Sequence, residues 1–94
     1  MSEPVDAEVN QRGLLFPTDH VLIAMGPPHA AFRESLEQAL VAAGARRTAN
    51  PVEFRLSRAG RYQSVHIEVH VDSREELEAL YRVIKAHPDV VYRL

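Results

Sequence analysis

With 94 residues the chain has room for one domain and one modest core. Its 11 Lys and Arg against 13 Asp and Glu give a net charge of −2, which argues against a general nucleic-acid binder, and the absence of cysteine excludes disulfides, thiolate metal sites and a thiol nucleophile. No apolar run approaches the ~20 residues that span a bilayer, and the acidic start with Glu3, Asp6 and Glu8 does not read as a signal peptide, so a cytoplasmic protein without membrane contact is expected.

Residues 1–15 are polar and aperiodic and read as a mobile tail, with Leu14, Leu15 and Phe16 able to dock back. A single domain is expected over residues 16–94. His20 to Met25 is the first strand, apolar on both faces and so placed in the middle of a sheet. Gly26-Pro27-Pro28 ends it. A helix is expected from about His29 to Ala43, with Phe32, Leu36, Ala39, Leu40 and Ala43 on one stripe. Gly44 is its left-handed cap. Ala45 to Pro51 reads as a loop carrying Arg46 and Arg47.

Val52 to Leu56 is the second strand, with Val52, Phe54 and Leu56 inward and Glu53 and Arg55 outward. The turn Ser57–Arg61, built on Gly60, leads into the plainest signal of the chain. Val65, Ile67, Val69 and Val71 alternate with Ser64, His66, Glu68 and His70, the period of a strand with one buried and one open face. Ser73 and Glu76 form a capping box that opens a second helix, with Leu77, Leu80, Tyr81 and Ile84 as its buried stripe. His87-Pro88-Asp89 closes it, and Val90 to Leu94 is a fourth strand.

The order βαββαβ with right-handed crossovers puts both helices on one face of a four-stranded antiparallel sheet. This is the α+β ferredoxin-like sandwich, strand order 4-1-3-2. The opposite sheet face is left open. Strand 1 must show that face either Leu22 and Ala24 or Val21, Ile23 and Met25, so an apolar patch is expected there. It invites a homodimer or a partner protein, unless the tail folds over it.

Several stretches carry a family resemblance. They are Phe16-Pro17 with Asp19, Met25-Gly26, Ser57, Gly60, Tyr62, Ser64-Val65, Ser73, Glu76-Leu77, Leu80-Tyr81, His87-Pro88-Asp89-Val90-Val91 and Leu94. Over about residues 16–94 the chain resembles the YbeD-like family of small bacterial proteins of unknown function. That family is similar in fold to ACT-type regulatory domains, which bind small ligands or partner domains, often as dimers. The resemblance implies no catalytic residues. It makes Gly26, at the junction between the first strand and first helix, a candidate ligand-site residue.

Three constellations invite chemistry. His66, Glu68 and His70, with His20 on the next strand, are a conceivable metal set, but flat-strand neighbours diverge and a solvated polar face is the favoured reading. Arg46, Arg47, Arg55, Arg58 and Arg61 crowd the hairpin and its entry and suit a phosphate or carboxylate. The hairpin also has the topology of an RNA-recognition motif, though only Tyr62 offers a ring for base stacking. No nucleophile–base pair is visible, so neither an enzyme nor a cofactor is expected. The expected function is a non-catalytic regulatory or interaction module of ACT-like type that binds a small metabolite or a partner protein. The alternative is an RNA-binding module using the open face and the Arg-rich hairpin. The candidate ligand residues are Gly26, Arg55, Arg58, Arg61, Tyr62 and His66.

Overall fold

The computed structural model describes residues 14–91. Six elements follow in order: β1 (Thr18–Gly26), α1 (Ala30–Ala42), β2 (Arg46–Arg47), β3 (Glu53–Leu56), β4 (Gln63–Val71) and α2 (Arg74–Ala86). The strands form one four-stranded antiparallel sheet and the helices lie on one of its faces, an α+β ferredoxin-like fold. No helix among the described residues is long and apolar enough to cross a membrane.

β4 is the spine. Its odd-numbered residues 63–71 are all buried and its even ones half-buried. β1 pairs with it along its whole length, Leu22 opposite Ile67 and Ala24 opposite Val65. Paired residues share a face, so Leu22, Ala24, Val65, Ile67, Val69 and Val71 make the floor of the core. Phe32, Leu36 and Leu40 of α1 and Leu77, Leu80 and Ile84 of α2 make its roof. Leu14 and Phe16 pack against this core, while Leu15 is exposed.

The caps follow the sequence. Gly44 and Gly60 have positive φ, 99° and 73°, and end α1 and turn the β3–β4 hairpin. Ser73 accepts the Glu76 N–H at the start of α2. The second half of the expected capping box is shifted by one residue, because Glu76 takes the Asp72 N–H instead. That bond, and after it the Arg46 guanidinium, holds the Glu76 carboxyl below its usual range.

Several expectations need correction. The stretch 45–51 is not all loop, since Arg46 and Arg47 pair with His70 and Val69 as β2. Phe54 and Leu56 face the helix side, opposite Val65 and Gln63, yet are 48% and 54% exposed, because their edge strand overhangs the helical roof. Arg33 covers one side of the Phe54 ring, 3.8 Å from its centroid. Tyr81 and Ala43 are exposed rather than buried. Tyr81 lies at the margin of the roof, where its hydroxyl is 2.9 Å from His20 Nε2. The order β1–β4–β3 agrees with the expected neighbours. Of the fourth strand expected at Val90–Leu94, residues 92–94 lie outside the described part, as do residues 1–13 of the tail. Val91 donates to the Met25 carbonyl, so the chain starts to join the free edge of β1.

Candidate functional site

The open face has a readable grid. Asp19 stands opposite His70, Val21 opposite Glu68, Ile23 opposite His66 and Met25 opposite Ser64. On the other side of β4, Arg46 flanks His70, Glu53 flanks His66 and Arg55 flanks Ser64. Val21 and Ile23 are 42% and 51% exposed. The apolar patch expected of strand 1 is therefore the Val21, Ile23 and Met25 set. The tail residues Leu14 and Phe16 serve the core instead.

The most shaped part of this face lies where the edge strand breaks. The Thr48 N–H still reaches the Glu68 carbonyl, and pairing resumes with Glu53 opposite His66. Four residues, Ala49 to Val52, thus stand against Ile67 alone. A proline has no N–H for a ladder, and Pro51 sits in this bulge. Thr48 Oγ1 donates to Glu68 Oε1 at 2.8 Å, and the Asn50 side-chain amide donates to the same oxygen. Arg47 ties the loop down through the Asn50 carbonyl. The result is an open cleft of about 370 Å³ lined by Val21, Asn50, Pro51, Glu53, His66 and Glu68. It offers hydrogen-bond acceptors and negative charge beside an aliphatic wall. Sequence reasoning missed Asn50, Glu53 and Pro51 here, because nothing in the sequence shows that the edge strand resumes after a gap.

The expected ligand residues are dispersed. His66 and Arg55 border one small recess with Glu53 and Phe54, of about 80 Å³. Arg58 and Arg61 are exposed at the hairpin tip. The Tyr62 N–H is spent on Ser57 Oγ. Gly26 is buried, and a Cβ there would lie 2.4 Å from the Phe32 ring. The junction behind it is closed by Gln63, whose amide donates to the Pro27 and His29 carbonyls and accepts from Arg33. The five arginines divide. Arg46 binds Asp72 and Glu76, and Arg47 binds Glu37. The side chains of Arg55, Arg58 and Arg61 make no ion pair among the described residues.

The histidines do not converge. His20 lies on the helix-covered face, opposite Val69. His70 faces Asp19 and Asp72 through its two ring nitrogens, and His66 lies beside Ser64. Among the described residues no group of three or more His, Asp or Glu is placed to hold a metal ion. One serine–histidine contact exists, Ser35 Oγ to His87 Nε2 at 2.6 Å. The Asp89 N–H donates to His87 Nδ1. In the neutral ring Nε2 therefore carries the proton and donates to the serine, the wrong polarity for a general base. His87 also meets the Phe32 ring edge-on, so this contact fastens the end of α2 to α1.

Comparison with known proteins agrees with the motifs. The family profile described as "Protein of unknown function (DUF493)" matches residues 11–94. A UPF0250 protein of Stenotrophomonas maltophilia is 32% identical over 82 residues, 87% of this chain and 89% of its own length. One from Xanthomonas axonopodis is 33% identical over the same shares, and one from Bordetella parapertussis is 32% identical over 80% of this chain and 82% of its own. The chain belongs to this family of bacterial proteins of unknown function, DUF493 or UPF0250, the YbeD-like family that its motifs resemble.

Proposed function

We propose that this protein is a non-catalytic regulatory or interaction module that binds through the open face of its sheet, as the likeness to ACT-type domains implies. One observation carries the reading. Val21 and Ile23 stand exposed beside a shaped cleft, on a sheet face that no helix among the described residues covers. Thr would give the strand the same β-branched propensity on a face with no use, so two adjacent aliphatic side chains there mark an interaction surface. The cleft suits a small metabolite with hydrogen-bond donors, and the strip suits an apolar partner surface. RNA gains no support, since among the described residues no strand position on the open face holds Phe, Tyr or Trp, and Glu53 and Glu68 oppose phosphate.

The test is capture from native lysate on the immobilised full-length chain, with proteins and metabolites identified by mass spectrometry. A Val21→Ser, Ile23→Ser double variant and a Val41→Ser control, altered on the exposed side of α1, run in parallel. The expected result is a species held by the parent and the control and lost by the double variant. Identical captured sets for all three chains would remove the open face as the binding surface.

A further inference from the structure

We infer, resting on the proposal that the open face is the binding surface, that its occupant is a second copy of this chain. The two sheets stack face to face with antiparallel strands, about a two-fold axis crossing the strands between Val21 and Ile23. Charge decides this orientation. One end of the face carries the hairpin with Arg58 and Arg61, whose side chains make no ion pair among the described residues. The other end carries the exposed carboxylates Asp19 and Asp72. A parallel stack would set the arginine hairpin on its own copy. The antiparallel stack sets it on the Asp19 and Asp72 end of the other chain, twice over by symmetry.

The interior of the face fits the same operation. Register places Val21 level with Glu68 and Ile23 level with His66. Reversal about an axis between those levels puts Val21 over Ile23 and Glu68 over His66. The apolar strip then covers itself, and each carboxylate meets an imidazole. Arg46, which falls over Arg55, is already held by Asp72 and Glu76. Both clefts lie at the level of Glu68 and His66, so they come to face each other across the axis.

The area is sufficient and small. β1 and β4 have nine residues each, about 30 Å of strand, and three strand positions span about 14 Å. A pair of such faces, with the relief of their side chains, buries on the order of 1,000 Å², the lower limit of specific interfaces. A weak dimer follows, one that forms reversibly with concentration.

Sedimentation equilibrium of the full-length chain tests this. The weight-average mass is expected to rise from 10.6 kDa towards twice that between about 10 µM and about 1 mM, as an interface of this size allows. Ile23→Asp, and the milder Ile23→Thr that keeps a β-branched residue in the strand, should each weaken association about tenfold or more. Arg61→Glu should weaken it, Asp72→Arg likewise, and the double variant should regain the parent value. Circular dichroism confirms that each variant is folded. A chain that stays monomeric throughout overturns the inference, and so does one that associates only after residues 1–13 are removed. A dimer indifferent to Ile23→Asp, or a charge swap that fails to restore association, overturns it as well. A monomer that still loses its captured species in the Val21→Ser, Ile23→Ser variant removes the second copy and leaves the binding face standing.

Discussion

Along β4, Val65, Ile67, Val69 and Val71 lie under the helices with almost no exposure, while Ser64, His66, Glu68 and His70 alternate with them half exposed on the other side. The same backbone carries both rows. On the covered side each side chain meets aliphatic neighbours from β1, α1 and α2. On the open side each polar group is satisfied locally, Glu68 by Thr48 and Asn50, His70 by Asp19 and Asp72. Stability is therefore concentrated on one face. β1 breaks that division, because among the described strands it alone presents aliphatic side chains, Val21 and Ile23, to the open side.

The sharpest way to break this comparison is to alter neighbours on opposite faces. Ile67→Ala removes a buried side chain whose surroundings are fixed by both helices, and should cost about 2–5 kcal/mol. His66→Ala, one residue away, should stay within about ±0.5 kcal/mol. Urea denaturation of both variants reads the difference. Equal costs would mean that the open face is packed against something in the free protein.

A finer contrast uses Gln63, the one fully buried polar side chain among the described residues. It fixes the β1–α1 junction by bonding to the Pro27 and His29 carbonyls and to Arg33. Gln63→Leu keeps most of the volume but removes three hydrogen bonds, while the Pro27 and His29 carbonyls keep the His29 and Phe32 N–H groups, so a loss of about 1–3 kcal/mol is expected. Ser64→Ala, on the open side, should change the urea midpoint hardly at all. A neutral Gln63→Leu would show that water replaces the amide at no cost.

Much of this was legible in the chain. The alternation of β4 was, because a strict period of two has no competing reading, and so were the left-handed glycines and the Ser73 cap. Gln63 had a signal too: it continues the inward parity of Val65, Ile67, Val69 and Val71 by one step. The bulge had none. Arg46 and Arg47 carry no strand signature, and only pairing to His70 and Val69 makes them one. The exposure of Phe54 and Leu56 depends on how far the helices reach across the sheet, which no local pattern encodes. Tyr81 sits at helical spacing with Leu77 and Leu80, and only its contact with His20 reveals that it lies at the margin. The candidate cleft was half legible, through His66 and Glu68 on β4. Its other wall comes from the bulge.

The smallest expected effect belongs to His20, the histidine that shares the covered face with the core. Its ring stacks edge-on to Tyr81 and touches the tyrosine hydroxyl. Burial pushes its pKa below the ordinary 6.5, and burial pushes Tyr81 upward, so the phenol keeps its proton. In the unfolded chain His20 titrates near 6.5. Between that value and the lower folded one, the unfolded state binds more protons than the native state, so stability must fall as the pH falls. Above 6.5 both states are neutral there and the contribution is complete. The corresponding loss from Glu76, whose folded pKa is also depressed, begins only below its ordinary 4.5. The two windows are thus separable. The urea midpoint of the parent should decline as the pH falls below about 6.5, modestly because the site is partly solvated. His20→Phe should lose that decline while keeping the one at lower pH. A variant with the parent's slope in the upper window would mean that another group titrates there and that His20 is solvated enough to charge freely.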